Sequence, residues 1–171
     1  MSGGSTRIDT ARPGRITPIA LRGTRAFLIT GTRSGTGRIL VDTGSPGDAA
    51  RILEAMARLG LRPDDLNLIV ITHAHYDHVG GLRELAAASG APVAASRLEA
   101  PHVSAGTTPP TSVDGRLGSW LLRVIPLRDK MADKGYEPDL LIDDRLDLAP
   151  YGVTGDVIWT PGHTMGSLSI V

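Results

Sequence analysis

Three of the chain's five histidines fall within one hexad, His73-Ala74-His75-Tyr76-Asp77-His78. His73 and His75 are two positions apart, so an extended backbone points both imidazoles to one side. Asp77 and His78 lie just beyond, where the chain can turn back on itself. Four ligand-type side chains thereby converge within a short stretch. A mixed set of imidazole and carboxylate suits zinc or iron better than calcium or magnesium, which favour all-oxygen sites. Metal binding is the chemistry this spacing supports; a surface loop with histidines at random gives no reason for them to crowd at one place. Tyr76 sits among these groups, as a wall residue or as a donor to an oxyanion.

The cluster needs a rigid element to present it. Residues 66–71, Leu-Asn-Leu-Ile-Val-Ile, are apolar and rich in β-branched side chains, the pattern of a buried strand. The polar cluster begins where that strand ends, and strand ends are where α/β proteins tend to place chemistry. After it, Gly80-Gly81 permits a tight backbone approach. Leu82, Leu85 and Ala86 then open an amphipathic helix that stops at Gly90, and residues 91–95 read as a further strand.

Upstream, residues 16–21, 26–30 and 38–42 read as short strands with an antiparallel opening. The glycine-bearing loop 31–37 resembles a phosphate loop only superficially. It lacks the Gly-Lys-Ser/Thr ending and leads into a strand, so a hairpin turn is expected. At the end of the third strand Asp42-Thr43-Gly44 is a good turn former. Ser45 is placed to cap a helix, with Pro46 in the first turn and Asp48 at the capping-box position; Ile52, Leu53, Met56 and Leu59 continue it to Gly60. The strand, helix, strand rhythm implies crossover units beside a mostly buried sheet.

The remainder is less informative. Asp64-Asp65 follow Pro63 as a turn. Residues 99–114, with their prolines, read as a surface excursion, and His102 within it reads as solvent-facing. Residues 120–125 suit either a buried strand or a helix, and residues 128–136 read as surface. Asp143-Asp144 lie between two short apolar runs and read as a hairpin turn. Residues 157–160 form a short strand after which Pro161-Gly162 presents His163, and residues 167–171 read as a last strand.

Composition excludes several function classes. Eighteen basic and eighteen acidic residues cancel, so no global field recruits nucleic acid or an anionic membrane. Seven arginines precede Asp42 with only Asp9 opposing them, which reads as a solvated face. With no cysteine, disulfides and thiolate metal sites are excluded and histidine and carboxylate form the ligand pool. No apolar run approaches a bilayer span and the first fourteen residues lack the apolar core of a signal peptide. The expectation is a flexible leader at 1–14, one domain at 15–171, and a cytoplasmic protein.

The hexad, preceded by Val41-Asp42-Thr43-Gly44 and followed by Thr160-Pro161-Gly162-His163-Thr164, resembles the metallo-β-lactamase-fold hydrolase superfamily. The resemblance runs from about residue 15 to the end of the chain. It implies a mixed α/β fold, an αββα sandwich, here incomplete at its C-terminal side. It implies that His163 joins His73 and His75 in a first metal site, that Asp77 and His78 serve a second, and that Asp42 supports the metal loop from behind. Closing that long sequence gap should also stabilise the protein. The implied cofactor is zinc, one or two ions, with iron as the alternative. The implied activity is hydrolysis of an ester, thioester or lactone carbonyl by metal-bound hydroxide, with Asp77 orienting the nucleophile and shuttling its proton. The implied partner is a small-molecule substrate whose contacts the sequence leaves unknown. Two further readings stand beside it: an iron-dependent oxidoreductase of the persulfide dioxygenase type, and an inactive metal-binding fragment. The family's later metal ligands, a bridging aspartate and a further histidine, have no counterpart after His163. The expectation is therefore a truncated domain with a weak second site and a C-terminal strand edge prone to self-association.

Overall fold

The computed structural model describes residues 14–31, 37–109 and 135–171. Strands β1 (Ile16–Ala20), β2 (Arg25–Thr30) and β3 (Arg38–Val41) pair antiparallel in sequence order. The β2–β3 connection is a hairpin whose ends meet where Gly31 N–H donates to Gly37 O at 2.7 Å. From β3 onward the neighbours run parallel: β4 (Leu68–Ile71), β5 (Val93–Ser96) and β6 (Leu140–Ile142) complete a six-stranded sheet in order β1-β2-β3-β4-β5-β6. Helix α1 (Ala49–Arg58) leads from β3 to β4. The short α2 (Tyr76–Val79) and α3 (Leu82–Ser89) lead from β4 to β5, and α4 (Ala100–Ala105) follows β5. These are the crossovers the strand, helix, strand rhythm demands.

Strand alternation sorts the apolar side chains into two cores. Leu40, Ile69, Ile71, Val93 and Ala95 face the helices and meet Ile52 and Met56 of α1, Leu82 and Leu85 of α3 and Val103 of α4. Ile39, Val41, Leu68, Val70 and Ala94 face the other way. Both faces of the central strands are covered, which is why β3 and β4 carry almost continuous apolar sequence. The second face packs on an antiparallel sheet of β7 (Arg145–Asp147), β8 (Asp156–Trp159) and β9 (Leu168–Ile170), through Leu148, Val153, Val157 and Leu168. The layers are helix, sheet, sheet, and among the described residues no α-helix lies on the outer face of the second sheet. Strand β9 pairs with β8 on one side, and among the described residues no strand flanks the other.

Several local expectations are corrected. Helix α1 starts at Ala49, after Asp48 rather than after Ser45. Gly47 adopts φ +85, which no helix accommodates, and the Asp48 carboxylate accepts both Ser45 N–H at 3.0 Å and the Arg22 guanidinium at 3.0 Å. Asp143-Asp144 do not close a hairpin: β6 belongs to the first sheet and β7 to the second, so the pair carries the chain between sheets. Arg97 grips both Asp143 oxygens at 2.7 and 3.1 Å, and Asp144 O accepts Trp159 N–H at 2.8 Å, which holds the crossing in place. The excursion after residue 99 begins with α4. Among the described early arginines, Arg22 pairs with Asp48 and Arg38 is buried, so these two do not share one solvated face. The expectations for 1–13, for 120–125 and for most of 128–136 lie outside the described residues. No helix among the described residues is long and apolar enough to cross a membrane.

Candidate metal centre

Parallel strands align their C-terminal ends, and β3 and β4 both end in polar residues there. Asp42 extends the ladder by one bond, N–H to Val70 O at 2.9 Å, and then turns away at φ +61. Left-handed backbone is costly for most residues and tolerated by aspartate, whose short side chain finds local partners. Here those partners are on the metal loop. The buried carboxylate accepts Thr72 N–H at 2.9 Å, the Thr72 hydroxyl at 2.9 Å and His78 Nδ1–H at 2.8 Å. Thr43 adds N–H and hydroxyl bonds to His78 O at 2.7 and 2.8 Å, and Gly80 N–H donates to Gly44 O at 2.7 Å. A Cβ on Gly80 would stand 2.2 Å from Pro46 N, and one on Gly81 2.6 Å from Thr43 O, so only glycine lets the two loops touch.

This network fixes the tautomers of His73 and His78. Thr72 Oγ1 must donate to Asp42, because a carboxylate only accepts; its lone pairs then receive the proton of His73 Nδ1, 3.0 Å away. His73 Nε2 is left with its lone pair, buried and without a hydrogen-bond partner among the described residues. Burial, reinforced by neighbouring His78, His75 and His163, lowers the His73 pKa to about 3, so the ring is neutral and its Nε2 lone pair could bind a metal. His75 is lowered as well, by burial first and then by His163, with Asp77 and the Pro109 backbone opposing. His78 moves the other way. Burial disfavours its charge, but the hydrogen bond and charge of Asp42, with help from Asp77, outweigh that and raise it.

His163 arrives from the second sheet, on the loop between β8 and β9. That loop is braced by Thr164 N–H to Ser167 Oγ at 3.0 Å and by Trp159 Nε1–H to Met165 O at 2.8 Å. The sheets are stitched beside it by Leu168 N–H donating to Thr72 O at 2.9 Å. His163 Nε2 comes to 3.0 Å from His75 Nδ1, and its ring stands nearly perpendicular to those of His73 and His75, at centroid distances of 4.8 and 4.7 Å.

The ligand atoms of His73, His75 and His163 lie within 4.8 Å of one another. Tetrahedral zinc with Zn–N bonds near 2.0–2.1 Å places its ligands about 3.3 Å apart, so the triad fits that ion with small ring movements. The partnerless Nε2 of His73 is explained by the same fit, since a buried polar atom is otherwise left unsatisfied. Asp77 and His78 stand beside the triad and outside it. His78 Nδ1 is held by Asp42, and its Nε2 lies 3.7 Å from Asp77 Oδ2, the orientation a carboxylate-buttressed ligand would have. Tyr76 packs against the helix-side core, and His102, bonded to Thr107 Oγ1 at 3.0 Å, is not part of the cluster. Thr72 belongs to the site although it is no ligand type; its position directly before the first histidine, at the end of β4, is the one sequence signal of that role.

The metallo-beta-lactamase superfamily model matches residues 20–171. Beta-lactamase-like protein 2 homolog of Caenorhabditis elegans is 32% identical over 99% of this chain and 46% of its own length. A probable metallo-hydrolase of Methanocaldococcus jannaschii is 29% identical over 85% of this chain and 61% of its own. Among solved structures, a Cronobacter sakazakii metallo-beta-lactamase with a HARLDQ motif superposes with TM-score 0.69 at 29% identity, covering 91% of this chain and 53% of that one. A subclass B3 metallo-beta-lactamase of Bradyrhizobium japonicum gives 0.68 at 25% identity, covering 96% and 54%. The chain thus spans about half the length of these relatives. Fold, motif order and a match over most of its length together make this chain a member of the metallo-beta-lactamase superfamily, among metallo-hydrolase relatives.

Proposed function

We propose that the protein is a zinc-dependent hydrolase of a small-molecule ester, thioester or lactone. The observation that carries this reading is the convergence of His73, His75 and His163 at the ends of elements from two sheets, with their donor atoms within 4.8 Å. When bound, zinc supplies Lewis acidity that makes water a nucleophile at neutral pH and polarises a carbonyl. The chain's own residues do the rest. Thr72 and Asp42 keep His73 in the ligand tautomer, Asp42 orients His78, and half-exposed Asp77 is placed to hold a nucleophile's proton.

An open groove of about 590 Å³ runs from His78 and Asp42 to the β1–β2 turn, lined by Leu21, Thr24, Arg25 and Phe27. Its size suits a small molecule. Its walls mix apolar and polar groups with Arg25 as the one arginine or lysine among the described lining residues, short of the basic clamp that phosphodiesters call for, which favours carbonyl substrates. The test is turnover of an ester, thioester and lactone panel by protein loaded with one or two equivalents of zinc. Turnover should vanish with chelator and return with zinc; a zinc-loaded protein silent on the whole panel would defeat the reading, and activity recovered with iron alone would replace zinc by iron.

A further inference from the structure

Glu99, in the turn between β5 and α4, is 2% exposed, and a carboxylate so placed needs strong donors. Its two oxygens each accept one backbone N–H. Oε2 accepts Ala74 N–H at 2.9 Å, and Oε1 accepts Gly166 N–H at 3.1 Å. Ala74 is the residue between His73 and His75, and Gly166 lies three residues after His163. One side chain on a third element therefore grips both ligand-bearing loops at once, across the seam between the sheets.

The packing around the grip is close. A Cβ on Gly166 would stand 2.5 Å from Glu99 Cγ and 2.8 Å from Oε1, so the glycine is what admits the carboxylate. The contact joins partners 25 and 67 positions away in sequence, and none of these residues offers a side-chain ligand to the triad. A bond to each loop at a fixed separation constrains the distance between the loops, which neither loop's internal bonds can do.

We propose that Glu99 is a positioning residue for the metal centre: its carboxylate holds the backbones of Ala74 and Gly166 together and so sets His73 and His75 against His163. The inference rests on the metal-binding reading above.

Cobalt(II) alone is the probe, titrated into the purified protein and followed by its visible absorption, whose intensity reports four-coordinate geometry, and by competition with a chelator. Glu99→Gln swaps one acceptor for a donor that repels an N–H; Gly166→Ala pushes the carboxylate away from the opposite side. Both should weaken cobalt binding about tenfold or more and alter the absorption bands, as losses of supporting hydrogen bonds around metal sites do. Met56→Ala, in the core under α1, should lower stability in urea while leaving cobalt affinity and spectrum unchanged. If Glu99→Gln does not give folded protein, Glu99→Asp, which keeps the charge and shortens the reach, takes its place with the same expectation.

Variants that bind cobalt like the unsubstituted protein overturn the positioning role while the metal reading stands. Equal weakening by Met56→Ala also overturns it, because general loosening would then suffice. An unsubstituted protein that binds no cobalt overturns the metal reading, and the inference with it.

Discussion

His75 Nδ1 and His163 Nε2 lie 3.0 Å apart although 88 positions separate them in the chain. One ring stands at the end of the six-stranded sheet and the other on a loop of the three-stranded sheet. A cation shared between them would cross-link the two sheets and so couple metal occupancy to fold stability.

The first prediction follows from that linkage. Zinc held at about 100 times its dissociation constant should stabilise the protein by about 2.7 kcal/mol, and chelator should remove the gain. In His163→Ala, with two imidazoles left on one loop, most of the zinc-dependent gain should disappear. Thermal melts with zinc and with chelator check it; an undiminished zinc response in His163→Ala would place the ion elsewhere.

Asp42→Ala should be among the most damaging single changes, at about 3 kcal/mol. It strips half-buried Thr72 N–H and His78 Nδ1–H of their acceptor and leaves alanine at φ +61. Asp42→Asn, which keeps an acceptor and tolerates left-handed backbone, should cost clearly less. Urea midpoints of the two variants decide, and equal losses would mean that backbone strain and the lost charge do not separate.

A pair of glycines offers a matched comparison. Gly80→Ala drives a Cβ to 2.2 Å from Pro46 N and 2.3 Å from Ser45 C, where backbone cannot yield cheaply, so about 3 kcal/mol or more should be lost. Gly90 ends α3 at φ +68 with nothing within 4 Å of a Cβ, so Gly90→Ala should cost only the left-handed penalty of about 1–2 kcal/mol. The order of the two melting temperatures checks it.

Acid should destabilise the metal-free protein in a defined window. The unfolded chain protonates His73 below its ordinary value of 6.5, while burial and the surrounding imidazoles hold the folded value to about 3. The unfolded state therefore binds the extra proton, and stability falls as pH drops from 6.5 toward 3. His75 acts in the same direction, by burial first. His78 opposes them: against burial, Asp42 raises its folded value, so its contribution is full below 6.5 and is lost as pH rises through the raised folded value. With two lowered groups against one raised, the urea midpoint with chelator should be lower at pH 5 than at pH 7, and the gap should shrink in His73→Gln. An equal midpoint at both values would contradict the sign.

Much of this arrangement was legible because it is local. The unbroken apolar run that makes β4 and the helical spacing of Ile52 and Met56 are both written in neighbouring residues, and so is the two-residue spacing of His73 and His75. What escaped depends on partners distant in sequence. Glu99 sits in a stretch with no period, and its importance exists only once Ala74 and Gly166 meet it. The Asp143-Asp144 pair fits a hairpin by local rules, and only the pairing of β6 with β5 and of β7 with β8 assigns its two sides to different sheets. Helix α1 starts late because of Gly47 and because Arg22, remote in sequence, claims Asp48.

The placement of His163 between β8 and β9 also sets an order of events during synthesis. His73 and His75 emerge from the ribosome long before their third partner, and until β8 and β9 dock, a nascent chain offers an ion only an incomplete set of donors. An ion held by all three imidazoles would therefore be captured only once the two sheets close on one another.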